Sequence, residues 1–163
     1  MLEKKLTPEM IDLLVEMREL ASSAPSLIIL QEYIVKAIPS RLPYYSWTGF
    51  YMLDPNDPDT LVLGPFVGDS TPHVRIPVTE GICGAAVALG KTVIVDDVNA
   101  DPRYLSCSIK TKSEIVVPIY VHGRILGEID IDSHDAAAFT SADRDFLEEA
   151  ARIIGTYIEK HPA

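Results

Sequence analysis

The chain has 163 residues, of which 47% are hydrophobic, and its formal net charge is -10. This length suits one domain with its own core, and the excess of acidic residues argues against nucleic acid and anionic membrane surfaces as partners. No segment has the roughly 18 unbroken apolar residues of a membrane span, and the N-terminus lacks the apolar core of a signal peptide, so we expect a soluble, cytoplasmic protein.

The first part of the chain, residues 1–43, is predicted to form two helices. Thr7 and Pro8 are typical of a helix start, and apolar residues then recur three and four positions apart. A second helix is predicted over residues 27–38. Two prolines, the first of them Pro39, should end it.

Residues 44–135 are predicted to form a sheet with loops around a pocket, and residues 140–161 a last helix capped by Thr140 or Ser141. Helices at both ends of a strand-rich middle indicate an α+β fold, in which the helices cover one face of an antiparallel sheet and leave the other face for a ligand. We expect residues 1–163 to form one domain. The predicted central elements are strands at 47–53, 61–66, 73–78 and 92–95, a helix at 81–89, a loop at 99–112 and a hairpin at 114–132.

The hairpin EIVVPIYVHGRILGEIDID, residues 114–132, has apolar residues at odd positions in both strands. Residues that pair across antiparallel strands share a face, so the numbers of each pair must add to an even value. A three-residue loop with Gly123 in the left-handed conformation satisfies this parity. It pairs Glu114 with Asp130.

Acidic residues at Glu114, Asp130 and Asp132 would then lie together on the other face of the hairpin. Like charges opposite one another destabilise a sheet, by up to about 1 kcal/mol when exposed. We therefore favour a site that binds a cationic group or donates a proton. The alternative is a solvated face whose acids only keep the protein soluble.

Two aromatic residues, Trp47 and Tyr51, alternate with Gly49 in the stretch YYSWTGFYM. All three should share one face of a strand, so the rings would form walls and the glycine a small floor. A pocket is one interpretation. The other is that both rings fill the core, where aromatic side chains most often pack.

The chain has two cysteines, Cys83 and Cys107, and their spacing matches no compact zinc motif, so we expect neither a metal nor a cofactor. Cys83 lies at a predicted helix start and Cys107 near Lys110 and Lys112, and both settings can lower a thiol pKa. A redox pair could form a disulfide through a sulfenic acid. Two inert, buried thiols are the alternative.

The segments SWTGFYML, LVLGPF, VRIPVTEGICGAA, SEIVVPI and GEIDIDS resemble, in this order, the free methionine-(R)-sulfoxide reductases, which are stand-alone GAF domains. The resemblance implies a GAF-like (PAS-like) fold and an enzyme that reduces the free amino acid. It places the nucleophile at Cys107 and the resolving thiol at Cys83. Many family members have another cysteine where this chain has His73, so resolution would depend on Cys83 alone.

The same resemblance places substrate-binding residues at Trp47, Tyr51, Glu114, Asp130 and Asp132. The acids would face the ammonium group and the sulfoxide of a bound amino acid. A carboxylic acid whose pKa is raised by a neighbouring carboxylate could protonate the departing oxygen. The resemblance also implies a thioredoxin-like reductant.

Two other functions fit parts of the sequence. A non-catalytic GAF module could bind a small ligand in the same pocket for sensing or signalling. A metal-dependent hydrolase is weaker, because Asp130 and Asp132 have no accompanying ligand cluster in the sequence. A homodimer through the amphipathic end helices is plausible both for the reductase and for the non-catalytic GAF module.

Overall fold

The computed structural model describes residues 3–106 and 108–162, which form four α-helices and one six-stranded antiparallel sheet. The strand order is β3-β2-β1-β6-β5-β4. This architecture confirms the predicted α+β fold. The helices are α1 (Pro8–Ala21), α2 (Leu27–Arg41), α3 (Gly81–Leu89) and α4 (Ser141–Lys160), and the strands are β1 (Trp47–Asp54), β2 (Asp57–Val67), β3 (Arg75–Pro77), β4 (Val93–Val95), β5 (Ser113–Val121) and β6 (Arg124–Ser133).

The helices begin at the capping residues that the sequence indicates. Thr7 accepts a hydrogen bond from the Met10 amide at 3.2 Å and begins α1. At α4, Thr140 and Asp143 form a capping box, in which each side chain accepts from the other residue's backbone. The carboxylate of Asp143 also accepts a hydrogen bond from Tyr45 at 2.8 Å, which ties the start of α4 to the segment before β1.

Helix α2 is longer than predicted, because Pro39 lies inside its last turn and the helix continues to Arg41. Pro39 lacks the hydrogen bond to the carbonyl four residues earlier and crowds that carbonyl, but its fixed φ suits the helix. The buried residues of α2, among them Val35 and Ile38, hold this turn in place. Arg41 is the last helical residue. Leu42, which caps the helix and precedes Pro43, has φ -122° and ψ 79° and is no longer helical. Residues that precede proline disfavour the helical conformation, so the second proline ends the helix.

One face of the sheet packs against α2 and α4, with α1 packed on these two helices, and this side forms the main core. The odd-numbered residues of β5, and those of β6 from Gly127 onward, point to this side, and Ile115, Ile119 and Ile131 are fully buried there. Phe146 of α4 and Met17 of α1 belong to the same buried core. Within residues 3–106 and 108–162, no helix combines the length and the apolar character that crossing a membrane requires.

The predicted three-residue hairpin loop is wrong. His122 and Gly123 both have positive φ, 51° and 76°, and form a two-residue turn in which Val121 pairs with Arg124. Positive φ at both central residues is the requirement of a type I′ turn, which matches the natural twist of a hairpin.

The extra residue that parity requires lies in β6 instead of the loop. Ile119 pairs with Gly127 and Tyr120 with Ile125, so Leu126 is left over as a bulge. From Gly127 onward the shared faces are therefore as predicted, and the register differs by two residues. As a consequence Glu114 lies opposite Asp132, and the predicted pairing of Glu114 with Asp130 is corrected. Ile125, predicted on the core face, pairs with Tyr120 and lies on the other face.

Candidate active site

The sheet face opposite the main core carries three rows of side chains that cross β1, β6 and β5. Each row is fixed by the strand register, because residues paired across antiparallel strands share a face. The predicted aromatic residues and the predicted acids therefore lie on one face, in neighbouring rows. The rows are Trp47, Asp132 and Glu114; Gly49, Asp130 and Val116; and Tyr51, Glu128 and Pro118.

Helix α3 packs on this face and brings Cys83 against the acids. Ala86 of α3 is buried against the same hydrophobic cluster as Val116 of β5. The Cys83 thiol donates a hydrogen bond to Oδ2 of Asp130 over 3.5 Å. Its sulfur, one oxygen of Glu114 and one oxygen of Asp130 all lie within 4.8 Å of one another.

The thiol of Cys83 does not have the lowered pKa that its place at a helix start suggests. Burial raises the pKa of this thiol well above its ordinary value, and the charges of Asp130, Glu128 and Glu114 raise it further. Desolvation and three nearby acids therefore outweigh the helix dipole. Cys83 is a protonated thiol at neutral pH in this state.

Two of the acids resist ionisation. Burial raises the pKa of Asp130, against hydrogen bonds from Glu114 and Cys83 that lower it. Burial, and secondarily the charge of Asp130, raises the pKa of Glu128 well above 4.5, although the neighbouring Cys83 thiol acts the other way. Neither Glu128 oxygen has a partner at hydrogen-bond distance in the described part of the chain.

Trp47 lies across the position where the sequence suggests a small floor. A Cβ at Gly49 would lie 2.4 Å from the indole Cη2, so the glycine is covered by the ring and does not form an open gap. The indole stacks on Phe66 at a centroid distance of 5.5 Å and on Tyr51 at 6.3 Å. Its Nε1 donates to the Asp69 carbonyl at 3.0 Å, which fixes the ring.

The aromatic residues, the acids and Cys83 line one small cavity. About 20 Å³ of it is open to a water-sized molecule, so this state has room for one water or one ion. Six of the seven predicted site residues meet here, and Cys107 lies outside the described residues. The lining residues are Trp47, Tyr51, Thr71, His73, Gly81, Ile82, Cys83, Leu105, Glu114, Asp130 and Asp132.

Among the residues at the site that were not predicted from the sequence, two are titratable, His73 and Glu128. His73 lines the cavity, and its Nε2 donates to the Ser106 carbonyl at 3.0 Å. Its carbonyl accepts a hydrogen bond from the Tyr51 hydroxyl at 2.7 Å. Glu128 is fully buried behind Cys83. Its even number in β6 could have identified it, because that parity places it on the face of Asp130 and Asp132.

Comparison with known proteins agrees with this geometry. The GAF domain family model matches residues 12–158. Two proteins named free methionine-R-sulfoxide reductase are similar to the chain: that of Saccharomyces cerevisiae is 44% identical over 110 residues, and that of Escherichia coli is 42% identical over 109. Each alignment covers 67% of this chain, but only 61% of the yeast protein and 64% of the bacterial one. The match therefore spans less than two thirds of either relative.

A solved structure is similar over almost the whole chain. The free methionine-R-sulfoxide reductase of Neisseria meningitidis, in complex with its substrate, superposes with a TM-score of 0.87 at 32% identity. The match covers 98% of this chain and 95% of that one. The chain therefore belongs to the GAF domain family, in the group of the free methionine-R-sulfoxide reductases.

Proposed function

We propose that this protein reduces free methionine-(R)-sulfoxide to methionine, and that residues 1–163 form one domain for this purpose. The observation that carries the proposal is the convergence of Trp47, Tyr51, Cys83 and the acids on one cavity. This chemistry suits a zwitterionic amino acid with an oxidised thioether. Relatives of the chain bear the name of the same activity.

In this proposal the aromatic residues and the acidic residues contact different parts of the substrate. Trp47 and Tyr51 contact the methyl and sulfur end, because thioethers favour aromatic surroundings. Glu114, Asp130 and Asp132 face the ammonium group and the sulfoxide oxygen. A cationic ammonium would relieve the repulsion among these buried acids, which favours binding of the free amino acid.

Asp130 is suited to proton donation. Burial raises its pKa, so its protonated form is available to the departing oxygen at a higher pH than that of an exposed aspartate. Glu114 shares a hydrogen bond with Asp130 and can replace the proton that is given up.

The electrons come from the two thiols. The thiolate of Cys107 attacks the sulfoxide sulfur, methionine leaves, and the oxygen remains on Cys107 as a sulfenic acid. Cys83 then gives up its proton and attacks the Cys107 sulfur, which forms the disulfide and releases water. A thioredoxin-like dithiol reduces the disulfide, and such chemistry suits a cytoplasmic location.

A homodimer is a further part of the proposal. Ile11 and Val15, one turn apart on α1, are about half exposed, at 50% and 46%. A second copy of the chain would bury them. Sedimentation of the wild type and of a Val15→Lys variant tests this, and a monomer at all concentrations would contradict it.

The activity is tested by incubating the protein with free methionine-(R)-sulfoxide and dithiothreitol and measuring methionine. We expect turnover by the wild type, none by Cys107→Ser, and none with the (S)-sulfoxide. Binding of the sulfoxide without turnover would favour a sensing module instead. No difference between wild type and Cys107→Ser would contradict the enzyme proposal.

The disulfide is tested separately. After treatment with substrate and without reductant, a non-reducing digest should yield one peptide that contains both Cys83 and Cys107. Cys83→Ser should give one methionine per chain and leave a sulfenic acid that a trapping reagent labels. Two free thiols in the wild type after substrate treatment would contradict the resolving role of Cys83.

A further inference from the structure

The cluster of Cys83, Glu114 and Asp130 has the composition of a metal site. Each of the three side chains is almost fully buried, and each offers one ligand atom within 4.8 Å of the others. A thiol and two carboxylates from α3, β5 and β6 thus converge on one point, although they are distant in the sequence.

Glu128 supplies an independent indication. It is fully buried and interacts with the Cys83 thiol, and within residues 3–106 and 108–162 neither its oxygens nor Oδ1 of Asp130 accepts a hydrogen bond from a backbone, hydroxyl, amide or basic group. In the same part of the chain, no lysine or arginine forms an ion pair with Glu128 or Asp130. Buried carboxylates usually have a charged partner or coordinate a metal.

The distances suit a tetrahedral ion. With a metal–sulfur bond of about 2.3 Å and a metal–oxygen bond of about 2.0 Å, the sulfur and oxygen of a tetrahedral zinc site lie about 3.5 Å apart. The Cys83 sulfur and Oδ2 of Asp130 are separated by 3.5 Å. The cavity beside them, about 20 Å³, holds an atom-sized guest but no amino acid.

We propose that Cys83, Glu114 and Asp130 form a binding site for one divalent cation of the zinc class, with Glu128 beside it, and that the bound cation excludes the sulfoxide. A thiolate with carboxylates selects zinc or cadmium over magnesium and calcium, which require oxygen ligands in larger number. The cation binds the acids that would otherwise face the ammonium group of methionine sulfoxide. It also binds the Cys83 thiol, which the proposed function assigns to disulfide formation. The exclusion rests on the proposed function, whereas the binding does not.

Binding is tested by titrating the full chain with cadmium, because a cadmium thiolate has a near-ultraviolet charge-transfer band. The titration uses Cys107→Ser, in which Cys83 is the remaining thiol. We expect one cadmium per chain with the band present. Adding Cys83→Ser removes the band, and adding Asp130→Asn weakens binding roughly tenfold or more. The matched control is Asp54→Asn, which removes a carboxylate that pairs with Arg75 at the other end of β1 and should bind as tightly as the parent.

The proposal is overturned if cadmium gives no thiolate band in folded protein, or if Asp54→Asn and Asp130→Asn weaken binding equally. Circular dichroism confirms that each variant is folded. Exclusion is measured on the wild type, where zinc should raise the apparent Kd for methionine sulfoxide and a chelator should restore it. A zinc-independent Kd would overturn exclusion. If the protein shows no turnover at all, the proposed enzyme activity fails while the cadmium titration still decides the site.

Discussion

Glu128 should make the folded protein less stable as the pH rises. Burial raises its folded-state pKa well above 4.5. Above pH 4.5 Glu128 therefore ionises more readily in the unfolded chain than in the folded protein, and this stabilises the unfolded state relative to the native state. Each unit of raised pKa corresponds to about 1.4 kcal/mol. We therefore expect the free energy of unfolding of Glu128→Gln, relative to that of the wild type, to increase as the pH rises above about 4.5, measured by urea unfolding.

The control for this prediction has the opposite sign. The Arg41 guanidinium lowers the pKa of Glu16, so ionised Glu16 stabilises the native state above its unfolded pKa. Glu16→Gln lacks this contribution, so its free energy of unfolding should fall slightly below that of the wild type as the pH rises. A Glu128→Gln curve parallel to the wild-type curve would show that Glu128 is hydrated or partnered in solution.

Gly49 should be required because the indole of Trp47 lies over it. An alanine Cβ would be 2.4 Å from the indole Cη2 and 2.9 Å from Cβ of Phe66, so the ring must move. We expect Gly49→Ala to shift the fluorescence of the protein's single tryptophan and to raise the KM for the sulfoxide. Gly64→Ala on β2 is the matched control, since its new Cβ would have 3.5 Å of clearance. Equal spectra for the two variants would refute this account.

At the residue scale, the alternation along each strand predicts which side chains share a face. It correctly groups Trp47 and Tyr51, and it groups the acids of the hairpin. It does not predict that α3 covers this face, and that covering is what buries Cys83 and raises its pKa. The direction of a thiol pKa shift depends on desolvation by distant parts of the chain, which no local pattern contains.

At the element scale, the β5–β6 turn gives a test of the corrected register. The observed turn requires positive φ at His122 as well as at Gly123, whereas the predicted loop required it only at Gly123. A β-branched residue is strained there, so His122→Val should cost about 1–2 kcal/mol of unfolding free energy, measured by chemical denaturation. His122→Asn is the control, since asparagine tolerates this conformation. An unchanged stability of His122→Val would favour the three-residue loop.

The elements themselves were predicted well where capping residues and alternation are strong. The starts of α1 and α4 follow Thr7 and Thr140. The bulge at Leu126 could not be predicted, because a bulge and a longer loop satisfy the same parity and differ only in tertiary packing. The continuation of α2 through Pro39 has a similar origin, because the packing of α2 in the main core outweighs the hydrogen bond that the proline removes.

At the scale of the whole molecule, the small cavity implies that the protein must open to admit the proposed substrate. His73 links the two segments that border the cavity: its carbonyl accepts from Tyr51, and its ring donates to the Ser106 carbonyl at 3.0 Å. Because about 20 Å³ cannot hold methionine sulfoxide, we infer that the contact between His73 and Ser106 breaks on opening.

Removing this contact should therefore favour the open state. One hydrogen bond contributes about 1 kcal/mol, so His73→Ala should speed sulfoxide association about fivefold and increase amide hydrogen exchange at residues 103–106. His161→Ala, which removes an exposed ring that stacks on Tyr157 at the end of α4, away from this cavity, should change neither rate. Stopped-flow tryptophan fluorescence measures association, and mass spectrometry measures exchange. If His73→Ala exchanges and associates like the wild type, this contact does not hold the cavity shut, and the substrate enters by moving another wall.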